Sequence, residues 1–236
     1  MTQIPTHAMI LAAGLGLRLR PVTERLPKPL VAVAGRTMLD RVLDHLDAVG
    51  VARRVVNTHW LGALIARHLA GRPGITLSAE PDLLETGGGV AKALPLLGDR
   101  PFYVCNADII WSDGGTPALR RLADAWDDER MDALLLLQCT VTAFGYDGQG
   151  DFFLDAAGVA RRRRQAEISP LLFGGVQILH PRLFAGAPDG PFSLNRLYDR
   201  AEEAGRLYGI VHDGGWYHIG TPDALAAAEA LLIAHG

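Results

Sequence analysis

Short apolar runs alternate with stretches of helical periodicity along the first 140 residues. Runs such as Ala8–Leu11 and Phe102–Cys105 are typical of buried strands. Between the runs, apolar residues recur three and four positions apart, which predicts helices with one buried face. The predicted strands are Ala8–Leu11, Arg54–Asn57, Ile75–Ala79, Phe102–Cys105 and Ala133–Gln138, and the predicted helices are Thr37–Val49, Leu61–Leu69, Gly89–Leu97 and Pro117–Trp126.

This alternation predicts an α/β fold with a doubly wound, mostly parallel sheet flanked by helices. In such folds ligands bind beyond the carboxyl ends of the strands. The loops that follow Leu11, Ala79 and Cys105 are therefore the first places to search for a functional site.

The pattern changes after Cys139. Residues 140–165 are rich in Gly, Asp and Arg and contain only short alternating stretches. We interpret residues 140–170, approximately, as a small β-rich inserted lobe within a single domain of residues 1–236. Further strands are predicted at Phe173–Leu179 and Leu207–Val211, and further helices at Leu194–Ala204 and Thr221–Ala234.

Composition narrows the functional classes. The 236 residues carry 23 Lys and Arg against 26 Asp and Glu, a net charge of −3, whereas nucleic-acid binders usually have a basic excess. No apolar segment approaches the roughly 20 residues of a membrane span, and the first residues do not resemble a secretion signal. Cys105 and Cys139 cannot form a disulfide framework. We expect a cytoplasmic protein with no nucleic-acid or membrane partner.

A glycine-rich turn follows the first predicted strand. At Gly14 and Gly16 the backbone can approach a ligand closely, and its N–H groups can contact phosphate oxygens. Arg18 and Lys28 add cations that suit a triphosphate. The dinucleotide-binding fingerprint is excluded because Leu19 replaces its third glycine. A Gly-x-Gly turn by itself could equally be structural.

Residues 11–21, Leu-Ala-Ala-Gly-Leu-Gly-Leu-Arg-Leu-Arg-Pro, are followed by Pro-Lys-Pro-Leu at residues 27–30. Together they resemble the signature of the sugar-1-phosphate nucleotidylyltransferases. The resemblance covers essentially the whole chain and implies a Rossmann-like nucleotidyltransferase domain, with Arg18, Lys28 and Asp108 as catalytic residues. The residues that it places on the nucleotide are Leu11, Ala12, Ala13, Gly14, Gly16, Glu80, Gly87 and Gly88.

A second glycine-rich segment follows the third predicted strand. Glu80-Pro81 is followed by Glu85-Thr-Gly-Gly-Gly89, and three glycines that open a helix let its N-terminus approach a ligand. A flexible helix start is the structural alternative. In the resembled family this loop contacts the base and ribose. The segment is most similar to a branch of N-acetylmuramate-1-phosphate uridylyltransferases and mannose-1-phosphate guanylyltransferase-like proteins.

Asp108 lies just beyond a predicted buried strand, where a carboxylate suits Mg²⁺, a cation that prefers oxygen ligands. Taken alone it could be a turn residue. The resemblance matches Asp108 to the metal-binding aspartate of an Asn-Gly-Asp pattern and Asn106 to its asparagine, with Ala107 in place of the glycine. It therefore implies Mg²⁺, or alternatively Mn²⁺, as the cofactor.

Residues 216–221, Trp-Tyr-His-Ile-Gly-Thr, depart from the resembled pattern. Related enzymes have an aspartate, the second metal ligand, where this chain has His218. Imidazole suits Mn²⁺ or Zn²⁺ better than Mg²⁺, so His218 could be a metal ligand of altered preference. Equally, His218 could be a hydrogen-bonding replacement, with the metal on Asp108, phosphates and water. Both interpretations stay open at this point.

The sugar is expected to face the inserted lobe. The resemblance there is looser. The residues that it assigns to the sugar are Asn106, Gly150, Asp151, Glu167 and Gly174.

The resemblance implies transfer of a nucleotidyl group from an NTP to a sugar 1-phosphate with release of pyrophosphate. UTP and N-acetylmuramic acid 1-phosphate, in cell-wall sugar recycling, are the favoured substrates. The alternatives are GTP with mannose or heptose 1-phosphate, and a catalytically weak regulatory homologue that binds nucleotide sugars. The expected partners are small molecules, and the sequence does not predict the oligomeric state.

Overall fold

The structure is a computed structural model that describes residues 4–234. Strands and helices alternate nearly as predicted. The strands are β1 (His7–Leu11), β2 (Ala32–Val33), β3 (Arg36–Thr37), β4 (Arg53–Thr58), β5 (Ile75–Ala79), β6 (Phe102–Asn106), β7 (Ile109–Trp111), β8 (Ala133–Cys139), β9 (Phe152–Leu154), β10 (Ala160–Arg162), β11 (Leu171–Leu179), β12 (Leu207–Val211) and β13 (Trp216–His218). The helices are α1 (Met38–Ala48), α2 (Gly62–Leu69), α3 (Glu85–Leu97), α4 (Ala118–Ala125), α5 (Asn195–Glu203) and α6 (Pro222–Ala234).

The central sheet has the strand order β5–β4–β1–β6–β11–β8–β12. The pairs of β1 with β4 and β6, of β4 with β5 and of β8 with β12 are parallel, whereas β11 runs antiparallel to both of its neighbours. The β9–β10 hairpin joins the sheet through β9, which pairs with the start of β11. The prediction of a doubly wound, mostly parallel sheet is confirmed.

Helices cover both faces of the sheet because successive strand residues point to opposite sides. Ile10 packs into the cluster formed with α1, α2 and α4, and its neighbour Met9 packs into the cluster formed with α3 and α5. Both side chains are fully buried. Each such side chain contributes about 1.5–3 kcal/mol to folding, so the alternating pattern fixes which side of every strand faces which helices.

Two small sheets were not predicted. In one of them β13 pairs antiparallel with β7, and this register sets His218 opposite Ile109. The other joins β2 to β3. Strands of two or three residues are too short to show periodicity in a sequence. The β7–β13 pair brings His218 beside Ile109, the residue that follows Asp108 in the chain.

Helix α3 begins earlier than predicted, at Glu85 instead of Gly89. The three glycines therefore lie inside its first turns, and they are buried there. A propensity argument excludes consecutive glycines from a helix, but tertiary packing overrides it here.

No helix within residues 4–234 combines the length and the apolar character that a membrane crossing requires. The sequence prediction that no secretion signal is present also covered residues 1–3, which lie outside the described residues.

Candidate active site

A cleft of about 650 Å³ opens at the carboxyl ends of β1, β4 and β6. This is the position that the fold predicts for a ligand site. The loop that follows β1 forms one wall. The predicted residues that line this cleft are Leu11, Ala12, Ala13, Gly14, Gly16, Arg18, Lys28, Asn106 and Asp108.

The two glycines of the first loop have different roles. Gly16 has a φ of +62°, and a Cβ atom there would lie 2.9 Å from Cγ2 of Thr23. The Thr23 hydroxyl also donates a hydrogen bond to the Gly16 carbonyl at 2.7 Å, so Gly16 is required by the local fold. At Gly14 nothing lies within 4 Å of a built Cβ atom. Gly14 therefore leaves open space beside the backbone for a ligand.

A buried polar chain supports the floor of the cleft. The Ala12 N–H donates to Oδ1 of Asn57 at 2.7 Å, and Nδ2 of Asn57 donates to Oε1 of Glu80, also at 2.7 Å. Oε2 of Glu80 accepts the Leu84 N–H at 3.1 Å. Asn57 lines the cleft and was not predicted as a site residue, although its place at the end of a predicted strand was a usable signal.

Three residues predicted to contact the nucleotide lie outside the lining of the cleft. Glu80 is buried beneath it, with both oxygens already bonded. The N–H groups of Gly87 and Gly88 donate to the Phe192 carbonyl at 2.8 and 3.1 Å. A Cβ atom at Gly87 would overlap the Phe192 ring. The glycines thus permit packing against residues 190–192, and Glu85 and Thr86 line the cleft in their place.

Lys28 and Asp108 form the ionic centre of the cleft. Nζ of Lys28 donates to Oδ2 of Asp108 at 2.9 Å. The lysine side chain is only 7% exposed, whereas the aspartate side chain is 42% exposed and faces the cleft. A buried ammonium on a half-exposed carboxylate is held in place while the outer part of the carboxylate stays accessible.

Arg18 and His218 form a second contact at the same place. Nη2 of Arg18 lies 3.2 Å from Nε2 of His218. Burial lowers the pKa of His218 below the usual histidine value, the Lys28 charge lowers it further, and the Asp108 carboxylate acts in the opposite direction. A protonated ring would place a third positive charge beside Lys28 and Arg18. Because the pKa of His218 in the folded protein is lowered, the imidazole is neutral at neutral pH.

A second cleft of about 330 Å³ adjoins the first. Arg18, Asn106 and Asp108 line both clefts, so these three residues stand at the junction. The new walls come from β11, from β13 and from residues 145–148 and 151 of the inserted lobe. Asn106 and Asp151, both predicted to contact a sugar, line this second cleft.

Three further residues were predicted to contact the sugar, and the structure places them outside both clefts. Gly150 has a φ of +73° and packs so closely on Ser169 that a Cβ atom would overlap its carbonyl. Gly174 is buried against β8, and its carbonyl accepts the Trp216 indole N–H at 2.9 Å. Glu167 pairs with Arg161 at 2.7 Å on the outside of the lobe. None of the three lines either cleft.

The side chains at the junction fit a metal site that protein and substrate form together, and they do not form a complete metal site by themselves. Within residues 4–234, no group of three or more His, Cys, Asp or Glu side chains is arranged to hold a metal ion. Mg²⁺ usually takes one or two carboxylates and completes its shell with substrate phosphates and water. The half-exposed Asp108 fits that arrangement. Nε2 of His218 does not, since it already contacts the Arg18 guanidinium.

Known proteins with similar sequences and folds agree on the family. The family model described as "Nucleotidyl transferase" matches residues 7–148. N-acetylmuramate alpha-1-phosphate uridylyltransferase of Caulobacter vibrioides is 46% identical over 98% of this chain and 99% of its own length. The protein of the same name from Neisseria meningitidis serogroup B is 36% identical, over 95% and 97%.

Solved structures show the same fold. HddC from Yersinia pseudotuberculosis superposes with a TM-score of 0.76 at 21% identity, covering 96% of this chain and 99% of its own. Residues 11–30 resemble the signature of the sugar-1-phosphate nucleotidylyltransferases, and the sequence matches confirm the membership that this resemblance predicted. The chain belongs to the nucleotidyl transferase family.

Proposed function

We propose that this nucleotidyltransferase joins UTP to N-acetylmuramic acid 1-phosphate and releases pyrophosphate. An oxygen of the sugar phosphate attacks the α-phosphorus of UTP, a new P–O bond forms, and the bond to the β-phosphate oxygen breaks. The electron pair leaves with pyrophosphate. The enzyme supplies no nucleophile, so catalysis rests on positioning and charge stabilisation.

The junction of the two clefts carries this proposal. A nucleotide in the larger cleft and a sugar phosphate in the smaller one meet where Arg18, Asn106 and Asp108 line both. Two adjoining clefts with the Arg18 cation at their boundary suit a reaction that joins two anionic substrates. The smaller cleft also offers aromatic and carboxylate groups for a sugar ring, from Trp216, Tyr146 and Asp147.

Each charged group has a distinct task in the proposed mechanism. Lys28, held on Asp108, neutralises charge that develops on the α-phosphate. Arg18, exposed at the junction, bridges the two phosphate groups with its fork of donors. A Mg²⁺ ion bound by Asp108 together with the substrate phosphates would supply further charge neutralisation and align the reacting groups.

The choice of base and sugar is supported by the two uridylyltransferases similar to this chain over nearly its full length. Pyrophosphate release, measured with four NTPs against a panel of sugar 1-phosphates, tests this choice. The highest kcat/KM is expected for UTP with N-acetylmuramic acid 1-phosphate. If GTP with mannose or heptose 1-phosphate is the better pair, only the reaction class survives. If no pair releases pyrophosphate, the catalytic proposal is wrong and a binding role replaces it.

A further inference from the structure

The contact between Arg18 and His218 has a definite direction. A guanidinium has only donors, so Nε2 of His218 accepts, and its proton is on Nδ1. The lone pair that points at Arg18 is the one that a metal ion would need. His218 can therefore serve Arg18 or a metal through Nε2, but not both at once.

The two partners of this contact differ in rigidity. His218 ends β13, where its neighbours pair with β7, and its own N–H donates to the Phe144 carbonyl at 2.9 Å. Arg18, in contrast, is an exposed residue of a short 3-10 helix in the first loop. The backbone of His218 is thus held in a strand, and its imidazole offers Arg18 a partner that restrains a long side chain which would otherwise sample many rotamers.

Gly220 leaves room for the pair. A Cβ atom at this buried position would lie 2.8 Å from Nε2 of His218 and 3.7 Å from Nη1 of Arg18. The imidazole can therefore occupy its place beside Arg18 only because residue 220 has no side chain, whereas Arg18 itself would be in ordinary contact with such a Cβ atom. Local packing supports the contact as a built feature of the junction.

The imidazole also changes the charge of the junction. At the junction the two cations Lys28 and Arg18 lie near the carboxylate of Asp108, and a neutral His218 adds no charge to them. A carboxylate at position 218 would pair with Arg18 and cancel its charge. A neutral acceptor orients the guanidinium and leaves its full charge for phosphate.

We propose that His218 is a positioning residue that holds Arg18 at the junction of the two clefts, and that it is not a metal ligand. Which phosphates Arg18 contacts rests on the proposed function, whereas the geometry of the Arg18–His218 contact is independent of it. The protein side of the metal site is then Asp108 alone, which makes metal binding depend strongly on bound nucleotide.

A mutant cycle tests the proposal with whichever substrate pair the wild type uses best. Arg18→Gln is expected to lower kcat/KM by about 100-fold, as for loss of one preorganised charged donor. His218→Leu is expected to lower it about tenfold, and the double variant to be no worse than Arg18→Gln, because His218 acts through Arg18. His218→Gln, whose amide oxygen can accept from Arg18, is expected to recover most of the loss. Gly220→Ala is expected to behave like His218→Leu.

Metal titrations separate the two roles of the histidine. The half-saturating concentrations of Mg²⁺ and Mn²⁺ are expected to be the same in His218→Leu, in wild type and in the control His7→Gln, at the opposite end of β1. A rise of tenfold or more in His218→Leu would show that His218 holds the ion. Strictly multiplicative effects of Arg18→Gln and His218→Leu would also overturn the proposal.

A measurement without turnover separates this inference from the proposed function. In metal-free protein, ¹⁵N spectra of the ring, assigned with His218→Gln, are expected to show an unprotonated Nε2. That signal is expected to shift in Arg18→Gln and, in protein saturated with UTP so that the metal can bind, to stay in place when Mg²⁺ is added. A shift on adding Mg²⁺, or none in Arg18→Gln, refutes the positioning role. Failure of UTP or N-acetylmuramic acid 1-phosphate as a substrate refutes the proposed function and leaves these spectra to decide the role of His218.

Discussion

The two clefts differ in how their walls are distributed along the chain. Much of the larger cleft comes from residues 11–19 and 28–29, two stretches that lie close together in the chain at and just after the end of β1. The smaller cleft is assembled from three distant segments together with the shared junction: residues 145–148 and 151, residues 172, 173 and 175, and residues 216 and 218. The first kind of site is visible in a sequence because the spacing of its residues is local. The second kind depends on which distant segments the fold brings together.

The clefts also differ in their ionic content. The larger one has Lys28 fixed on Asp108, a close contact of a buried and a half-exposed group. The smaller one has the exposed Asp147 and the half-buried Asp151, whose Oδ2 accepts the Phe173 N–H at 2.9 Å. Changes on the phosphate side should therefore affect kcat strongly, whereas changes on the sugar side should affect mainly the KM of one substrate.

The largest effect is expected for Asp108→Asn. This change keeps the size of the side chain but removes the charge that would hold the metal and pairs with Lys28. Since two charge contributions are lost together, kcat/KM is expected to fall by about 1000-fold or more. Steady-state pyrophosphate release measures this, with the exposed Asp99→Asn as the control. Retention of a tenth of wild-type activity would remove Asp108 from the mechanism.

Lys28→Ala is expected to lower kcat/KM by about 100-fold. The fold should survive because the partner that is left behind, Asp108, is accessible to water. Thermal unfolding and kinetics are measured on the same preparation, and Lys92→Ala on α3 is the matched control. Activity within threefold of wild type would contradict the assigned role.

Gly14 and Gly16 provide a sharper comparison within one loop. Gly16→Ala is expected to destabilise the protein by about 1–3 kcal/mol, because its φ is positive and the new methyl group meets Thr23. Gly14→Ala is expected to change stability by less than about 0.5 kcal/mol but to raise the KM for the nucleotide several-fold. Chemical denaturation and kinetics on both variants test this. Equal loss of stability would show that Gly14 is structural as well.

The smallest effect is expected on the sugar side. Asp147→Ala removes an exposed carboxylate of the smaller cleft, where it can accept a hydrogen bond from a sugar hydroxyl. Loss of one hydrogen bond of about 0.5–1.5 kcal/mol corresponds to a KM for the sugar phosphate raised about two- to tenfold, with the KM for the nucleotide unchanged. Asp189→Ala, also exposed but outside this cleft, is the control. A matching rise in both KM values would place Asp147 at the nucleotide instead.

Several parts of the fold and of the site follow from the sequence. The apolar runs and helical spacings predicted a sheet covered by helices. Because successive strand residues point to opposite sides, Ile10 and Met9 lie on opposite faces of that sheet. Residues 11–19 and Lys28 line the larger cleft. They were predictable because the chemistry of a loop is local: glycine frees the backbone, and the cations follow at short spacing. Asp108 was also predictable, because it directly follows a buried strand.

Only the tertiary structure decided the rest. Gly87 and Gly88, which suggest ligand contact in the sequence, make room for the segment at Phe192 instead. Asn57 gained its role from the Ala12 N–H and the Glu80 carboxylate, which the parallel pairing of three strands brings together. Such roles depend on packing between segments far apart in the chain, and sequence spacing carries no record of these distances.

His218 shows most clearly what the sequence determines and what only the tertiary structure decides. The sequence predicted an unusual residue at a metal-binding position and left two interpretations open. The register of β13 on β7 then placed the imidazole beside Asp108, and its Nε2 accepts from the guanidinium of Arg18, 200 residues away in the chain. A sequence determines which donors and acceptors are present. Which lone pair faces which donor is decided only when the folded chain sets them within 3.2 Å of each other.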